Sequence, residues 1–165
     1  MVGESRALWQ NKLDSGGTIM PIDVRASYTD SFGHAFDAKG RITVPSEWRE
    51  PSYESRLFVL PSAAPCVRVY PASWMSELQE KLKSLKDGDP VRERVQRLAS
   101  MAQSTTWDQQ GRIMVKEKLR QRAGLKKEAV LVGLLSHFEI WDKAAWEKKQ
   151  PAEPTVEEAL SAIGL

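Results

Sequence analysis

Two stretches of the chain, FDAKGRITVPSEWR (residues 36–49) and WDQQGRIMVKEKLR (residues 107–120), align without a gap at an offset of 71 residues. Six pairs of identical residues are aligned in this way: Asp37 with Asp108, Gly40 with Gly111, Arg41 with Arg112, Ile42 with Ile113, Val44 with Val115, and Arg49 with Arg120. The same offset matches Val59 with Val130 further along the chain. Self-similarity of this length predicts a tandem duplication of a unit of about 70 residues.

The predicted secondary structure has the same order in both units: an extended strand, a turn, a short strand, a short helix, two more strands and a closing helix. The closing helix of the first unit is predicted by an apolar stripe at helical spacing, formed by Trp74, Leu78, Leu82 and Leu85. Four short strands bury too little surface to be stable alone, so we expect the two units to interlock. The predicted fold class is therefore mixed β with peripheral helices, arranged as one barrel-like domain about a pseudo-twofold axis.

Five segments are predicted along the chain. Residues 1–27 show no periodicity and are expected to form a loosely ordered N-terminal extension. Residues 28–88 form the first repeat and residues 89–102 a connecting helix, which Asp89-Pro90 would start as N-cap and first helical residue. Residues 103–150 form the second repeat. Residues 151–165 form a tail, where Thr155 and Glu158 predict a capping box for a short last helix.

The composition excludes several classes of protein. The chain has 165 residues, of which 41% are hydrophobic and 28% charged, as in a globular protein of one or two domains. Its single cysteine, Cys66, cannot form an internal disulfide. No apolar run approaches the length of a membrane-spanning helix, and the first residues do not resemble a secretory signal. We therefore expect a protein that stays inside the cell.

The net charge of +2 hides an uneven distribution of charge. Residues 107–127 contain seven lysines and arginines and two acids, whereas residues 151–165 contain three glutamates and no base. A basic segment and an acidic tail in one chain favour a polyanionic partner. The charge of the basic segment is explained equally well by the solvent-exposed face of a helix.

The repeated DxxGR sequence predicts a tight turn that carries an arginine. Aspartate at the first position and glycine at the fourth are typical of a type I turn, as in Asp37 to Gly40. The aspartate can accept hydrogen bonds from turn amides, so a purely structural role remains open for it. The arginine that follows presents a fork of donors that fits a phosphate or the acceptor edge of guanine. Lys39 extends the first turn, whereas the second has neutral Gln110.

The chain resembles the MraZ family of transcriptional regulators, which is associated with the division and cell-wall gene cluster of bacteria. The resemblance is carried by the runs HAFDAKGRITVPSEWRE, PVRERVQRL, WDQQGRI, LRQRAGLKKEAVLVGL and FEIWDKAAWEKK. It implies an AbrB-like swapped-hairpin β-barrel built from the two repeats, a closed ring of subunits, and binding to repeated promoter elements. The DNA-binding residues that it implies are Asp37, Lys39, Gly40, Arg41, Asp108, Gly111 and Arg112.

The chain departs from the family pattern in two places. Residues 1–27 have no counterpart in that pattern, so either the chain is extended or Met20 is the true start. In the second repeat, neutral Gln110 stands opposite Lys39, and Lys116 stands opposite Pro45. We therefore expect the second turn to contribute less to binding than the first.

Reactive groups for catalysis are not evident in the sequence. His34 and His137 are out of register with the repeat, and neither has metal-ligand spacing with Cys66. The chain also lacks a phosphate-binding glycine loop and a nucleophile elbow. We expect no enzyme activity, no cofactor, no metal and no small-molecule substrate.

Two other functions remain open. The segment of residues 112–127 and the tryptophans could dock another protein, although Trp48, Trp74, Trp107, Trp141 and Trp146 are expected mostly in the core or at subunit contacts. The same arginines could grip RNA instead of DNA. The favoured hypothesis is a DNA-binding regulator of transcription in the cytoplasm, associated with the nucleoid.

Overall fold

The computed structural model describes residues 12–13, 19–20, 26–149 and 152–165. Near the N-terminus, β1 (Lys12–Leu13) and β2 (Ile19–Met20) pair in an antiparallel manner. The predicted extension over residues 1–27 otherwise lies largely outside the described residues.

The remaining elements follow the order predicted for a duplicated unit. The first repeat contains β3 (Ser31–Ala35), β4 (Arg41–Thr43), a 3-10 helix (Ser46–Trp48), β5 (Arg56–Pro61), β6 (Cys66–Pro71) and α1 (Ala72–Leu82). Helix α2 (Pro90–Ala99) connects it to the second repeat. That repeat contains β7 (Gln103–Thr106), β8 (Arg112–Met114), α3 (Glu117–Ala123), β9 (Glu128–Gly133), β10 (Phe138–Asp142) and α4 (Lys143–Lys149), followed by α5 (Val156–Ala162).

Local sequence signals account for the helix boundaries. Asp89 accepts a hydrogen bond from the amide of Val91, which starts α2 behind Pro90 as predicted. Gly124, with φ of 68°, ends α3 in the left-handed conformation that glycine favours. Thr155 and Glu158 form the predicted capping box of α5.

The two repeats exchange strands within one sheet. Its order is β3-β9-β10-β6-β5-β7, so β3 of the first repeat pairs with β9 of the second, and β7 pairs with β5. The central pair, β6 and β10, matches Val69 with Phe138 and Val67 with Ile140. A shift of 71 positions turns Val69 into Ile140 and Phe138 into Val67, so the first pair becomes the second. A pseudo-twofold axis between the strands requires this exchange.

The short strands β4 and β8 form a separate two-stranded sheet, centred on the buried pair Ile42 and Ile113. The predicted mixture of strands and helices is therefore confirmed. The hydrogen-bonded strands of the described residues do not close into one barrel. Closure of the strands into a swapped-hairpin barrel stays a prediction.

The offset between the repeats is 72 residues in β5 and β9, although it is 71 in the loops and in β6 and β10. Arg49 and Arg56 are seven residues apart, whereas their counterparts Arg120 and Glu128 are eight apart. Strands β5 and β9 share one alternation of buried and exposed residues when they are aligned at 72. The predicted match of Val59 with Val130 is wrong, because the extra residue places Val59 opposite Leu131.

Aromatic side chains form the centre of the hydrophobic core. Trp48 packs against Phe138 with ring centroids 4.8 Å apart, and Tyr28 contacts both rings edge-on or tilted. Full burial of one such side chain stabilises the fold by about 1.5–3 kcal/mol. Because Trp48 and Phe138 belong to different repeats, the core holds the two repeats together.

Helices α1 and α2 form a hairpin at the periphery. The Arg92 guanidinium of α2 donates hydrogen bonds to the carbonyl oxygens of Leu82 and Leu85, at 3.3 and 2.8 Å. It therefore caps the C-terminal end of α1. In the described part of the chain, no helix is long and apolar enough to cross a bilayer.

Candidate nucleic-acid interface

The first DxxGR turn (residues 37–41, the first loop) joins β3 to β4. The amide of Gly40 donates to the carbonyl of Asp37 at 3.0 Å, and the amide of Asp37 donates to the carbonyl of Arg41 at 2.8 Å. Gly40 has φ of 79°, a left-handed conformation that side chains resist. The turn geometry predicted from the sequence is therefore present.

The Asp37 carboxylate fixes the shape of this loop. Its Oδ1 accepts hydrogen bonds from the amides of Lys39 and Arg41, both at 2.9 Å, and its Oδ2 accepts one from Arg41 Nε at 2.7 Å. The bond from the Arg41 amide is the main cause that lowers the pKa of Asp37, although partial desolvation acts in the opposite direction. The carboxylate is therefore charged at neutral pH and orients Arg41.

The second DxxGR turn (residues 108–112, the second loop) repeats this arrangement between β7 and β8. Asp108 Oδ1 accepts from the amides of Gln110 and Arg112, at 2.9 and 3.0 Å. Its Oδ2 lies 3.1 Å from Arg112 Nε and 3.0 Å from Arg112 Nη2. The bond from the Arg112 amide again is the main cause that lowers the pKa of Asp108.

The pairing of β4 with β8 brings the two loops side by side. The Val44 amide donates to the carbonyl of Gly111 at 2.8 Å, and the Val115 amide donates to that of Gly40 at 2.9 Å. Arg112 Nη1 reaches to 3.8 Å from Asp37 Oδ2, the same oxygen that Arg41 contacts. The side chains of Arg41 and Arg112 are 31% and 27% exposed. Both arginines therefore reach solvent next to each other.

Two further arginines, which sequence reasoning did not select, support these loops. Arg49 Nε donates to the carbonyl of Val44 at 2.7 Å, and Arg120 Nε donates to that of Val115 at 2.9 Å. Each guanidinium then lies on the glycine of the other repeat's loop. The alignment of Arg49 with Arg120 in the repeat was the signal that could have identified them.

The space above each loop glycine is filled by these guanidinium groups. A Cβ atom on Gly40 would lie 2.8 Å from Arg120 Nη2, and one on Gly111 would lie 2.4 Å from Arg49 Cζ. A side chain at either position would have to adopt a left-handed backbone conformation and also displace the guanidinium group. Because each contact joins one repeat to the other, the loop positions depend on both repeats.

A groove of about 470 Å³ runs beside the first loop. Arg120, Lys126 and Lys127 line it together with Phe36 and the first loop itself. The Phe36 amide donates to the carbonyl of Lys127 at 2.7 Å, which holds this basic segment against the end of β3. The 72-residue offset of β5 and β9 places Glu54 and Ser55 at the corresponding positions beside the second loop. The surroundings of the first loop are therefore more basic.

The tryptophans serve mostly in packing, as predicted. Trp48 and Trp141 are buried, and Trp107 packs partly buried against the core. Trp74 stacks on Tyr70 at 3.8 Å, and Trp146 packs edge-on against Trp141 at 5.4 Å. Among these five tryptophans, few indole faces are left for docking another protein or for stacking bases.

Cys66 is the first residue of the central strand β6, His137 directly precedes the central strand β10, and His34 lies within β3. His137 stacks on Tyr70 with centroids 4.5 Å apart, and burial lowers its pKa. Burial also raises the pKa of the Cys66 thiol to about 11, which keeps it protonated. Within the described ranges, no group of three His, Cys, Asp or Glu side chains could hold a metal ion.

Known proteins are similar to this chain over most of its length. A family model described as "MraZ protein, putative antitoxin-like" matches residues 28–98 and again residues 98–157. Proteins named transcriptional regulator MraZ from Salmonella paratyphi A, Salmonella newport and Salmonella heidelberg are each 36% identical, over 78% of this chain and 93% of the relative. Both the double family match and this level of identity lead to the same conclusion: the chain belongs to the MraZ family.

Proposed function

We propose that this protein regulates transcription by binding repeated promoter elements through the loop face. The loop face consists of Asp37, Lys39, Gly40, Arg41, Asp108, Gly111 and Arg112. The observation that carries the proposal is the approach of Arg41 and Arg112 to one carboxylate oxygen of Asp37, at 2.7 and 3.8 Å. This arrangement makes one paired cationic probe from two distant parts of the sequence.

The residues of the loop face have different roles in the proposed complex. The aspartates and glycines shape the loops, whereas the arginines donate to phosphate or to the acceptor edge of guanine. In the described part of the chain, Arg41 forms an ion pair with one carboxylate, that of Asp37, whereas Arg112 contacts the carboxylates of both Asp108 and Asp37. Arg41 is therefore less engaged by the protein and more available to DNA.

The charge around the loops suits a polyanion. The two loops and the guanidinium groups packed on their glycines bring together five cationic side chains (Lys39, Arg41, Arg49, Arg112 and Arg120) and the carboxylates of Asp37 and Asp108. Lys126 and Lys127 add charge beside the first loop. Phosphate neutralisation by such groups releases counterions and makes binding dependent on salt. This balance favours nucleic acid over a neutral or basic protein surface as partner.

Binding by one subunit would be weak, so the proposal includes assembly into a closed ring. A ring presents the loop face at regular spacing, and each contact raises the effective concentration for the next on DNA with evenly spaced repeats. Within each subunit we propose a swapped-hairpin barrel that is formed by the first repeat (28–88), a connecting helix (89–102) and the second repeat (103–150). An extension (1–27) precedes this barrel, and a tail (151–165) follows it. The curated relatives carry the name of transcriptional regulators, and we extend this role, cytoplasmic and nucleoid-associated rather than enzymatic, to the present chain.

A mobility-shift titration tests this proposal. The probes are duplexes from upstream of the protein's own gene, carrying several evenly spaced repeats or a single repeat, and a single-stranded RNA of equal length. We expect tight binding only to the duplex that carries several repeats, with a steep loss of affinity between low and high salt. Equal binding to all three probes would contradict the proposal, and preference for RNA would support the RNA alternative. Absence of binding at low salt would favour a protein-interaction module.

A further inference from the structure

One position in the core differs sharply between the two repeats. In the first repeat, the Trp48 ring is buried against Phe32 and Tyr28, with centroids 5.3 and 5.6 Å apart. Its Nε1 donates to the carbonyl of Thr29 at 3.0 Å. Large aromatic rings therefore occupy the space between β3 and the 3-10 helix.

The matching position of the second repeat is open. At the 71-residue offset, Leu119 replaces Trp48, Gln103 replaces Phe32 and Ala99 replaces Tyr28. A pocket of about 220 Å³, here called the tail pocket, lies between the end of α2 and α3. It is lined by Ser100, Met101, Ala102, Gln103, Lys116, Lys118, Leu119 and Arg122.

The chemistry of the tail pocket suits an apolar group with acidic neighbours. Gln103 is already satisfied, because its Nε2 donates to the carbonyl of Met114 at 2.7 Å and its Oε1 accepts from the Lys116 amide at 2.9 Å. The apolar atoms of Met101 and Leu119 remain for contact, and the only charged side chains in the lining are basic. Cavities of about 150 Å³ can hold a benzene ring, so this pocket has room for a leucine or isoleucine side chain.

Helix α5 has the complementary properties. Val156, Leu160 and Ile163 lie at helical spacing and are 67%, 39% and 70% exposed. Glu157 and Glu158 lie beside this stripe. Its own capping box holds the helix in shape, and every side chain from residue 152 to residue 165 is exposed. The chain itself therefore leaves this apolar, acidic surface uncovered.

We propose that helix α5 of one copy of this chain docks in the tail pocket of a second copy. Leu160 or Ile163 enters the space that Trp48 occupies in the first repeat, and Glu157 and Glu158 face Lys116, Lys118 and Arg122. The inference rests on the oligomer in the proposed function. It assigns to the tail a role in joining neighbouring subunits, and charge complementarity together with the exposed apolar stripe supports it.

Disulfide trapping in the full-length chain tests this docking. The single native cysteine is buried, so introduced cysteines report the contact. Chains carrying Ile163→Cys and chains carrying Ala102→Cys, with different tags, are co-expressed and oxidised. We expect a covalent pair of the two chains as the main product. Replacing Ala102→Cys by Leu134→Cys, an exposed position outside the tail pocket, should lower the cross-linked fraction at least fivefold.

Two kinds of variant separate docking from chance collision. Leu119→Trp places in the second repeat the residue that the first repeat contains, and should lower the cross-linked fraction at least fivefold by filling the pocket. Lys118→Glu combined with Arg122→Glu changes exposed side chains only, and should cause a similar loss. Adding Glu157→Lys to the tail, which leaves the capping box of Thr155 and Glu158 intact, should restore part of the cross-link. Failure of the reversed charges to restore it would overturn the charge pairing.

The remaining outcomes distinguish this inference from the proposed function. A disulfide that forms only when both cysteines are in one chain would place the tail in its own pocket and overturn docking between copies. An intact oligomer by light scattering with no cross-link would overturn the inference while leaving the ring in place. A monomer by light scattering would overturn both the ring and the docking. The DNA titration tests DNA binding independently of these two results.

Discussion

The first and second loops have the same backbone and different surroundings. Both turns use an aspartate to receive the following amides and a glycine at φ of 79° or 78°. Lys39 and the segment Lys126-Lys127 accompany the first loop, whereas the corresponding positions at the second loop are Gln110 and Glu54-Ser55. Duplication has therefore kept the turn scaffold while the charge around it has diverged.

The protein itself engages Arg41 less than it engages Arg112. Among the described residues, Arg41 forms an ion pair with Asp37 alone, through Nε at 2.7 Å, which orients its guanidinium. Arg112 is held by Asp108 through two nitrogens, and its third lies near Asp37. A donor that is already paired must exchange partners to bind DNA, which reduces the net gain. We therefore expect the first loop to dominate binding.

Arg41→Ala should have the largest effect of the changes considered. Loss of an arginine contact costs about 1–3 kcal/mol in each subunit that touches DNA, so a ring should lose at least ~100-fold in affinity. The oligomer, measured by light scattering, should be unchanged. Arg94→Ala on α2 removes an exposed arginine far from the loops in sequence and serves as the matched control. Unchanged affinity in Arg41→Ala would remove the first loop from the mechanism.

Gly40→Ala should destabilise the fold by about 2–3 kcal/mol, because left-handed backbone costs an alanine about 1–2 kcal/mol and Arg120 must also move. Gly124→Ala is the matched control, since it has φ of 68° and no atom within 4 Å of the added Cβ. Unfolding in urea measures both. Equal losses in the two variants would show that the contact between Arg120 and the first loop contributes nothing.

Arg112→Ala should lower affinity for the repeated promoter by about tenfold, or ~1.4 kcal/mol. The smaller loss is expected because this guanidinium is largely engaged by Asp108 and Asp37. The same titration as for Arg41→Ala gives the ratio of the two effects. A loss equal to or greater than that of Arg41→Ala would reverse our ranking of the loops.

Lys126→Ala combined with Lys127→Ala should weaken binding only modestly, by about threefold to tenfold at moderate salt. Each phosphate contact that is lost reduces the slope of log affinity against log salt by about 0.9. Lys81→Ala with Lys86→Ala, both exposed on the α1–α2 hairpin, changes the net charge equally. If both pairs change the slope equally, net charge alone is responsible and the groove beside the first loop is not a contact.

Asp37→Asn should have the smallest effect, and it should depend on pH. The pKa of Asp37 in the folded chain lies below its ordinary value of 3.8. The charged carboxylate therefore stabilises the fold above that value, and the contribution is lost as the pH falls through the folded pKa. Wild type should exceed the variant in urea midpoint at pH 7, and the difference should shrink at pH 3. A difference that is constant with pH would exclude the carboxylate charge as its cause.

Local features of the site were predictable because they depend on neighbouring residues. The type I turns, the positive φ of Gly40 and Gly111, and the aspartate that receives the turn amides all follow from a five-residue motif. The capping box of α5 and the glycine end of α3 were predictable for the same reason. The positions of Arg49 and Arg120 were not, because each contacts a loop that lies about 60 to 80 residues away in the sequence.

The sequence by itself determined that the chain is duplicated, that each copy presents an arginine on a tight turn, and that the helices begin and end at their capping residues. These properties depend on interactions within one or two turns of the backbone. Only the tertiary structure decided that the repeats exchange strands, that Arg41 and Arg112 share one carboxylate, and that a pocket opens where Leu119 replaces Trp48. Such contacts join residues distant in the sequence, and packing of the common core selects them.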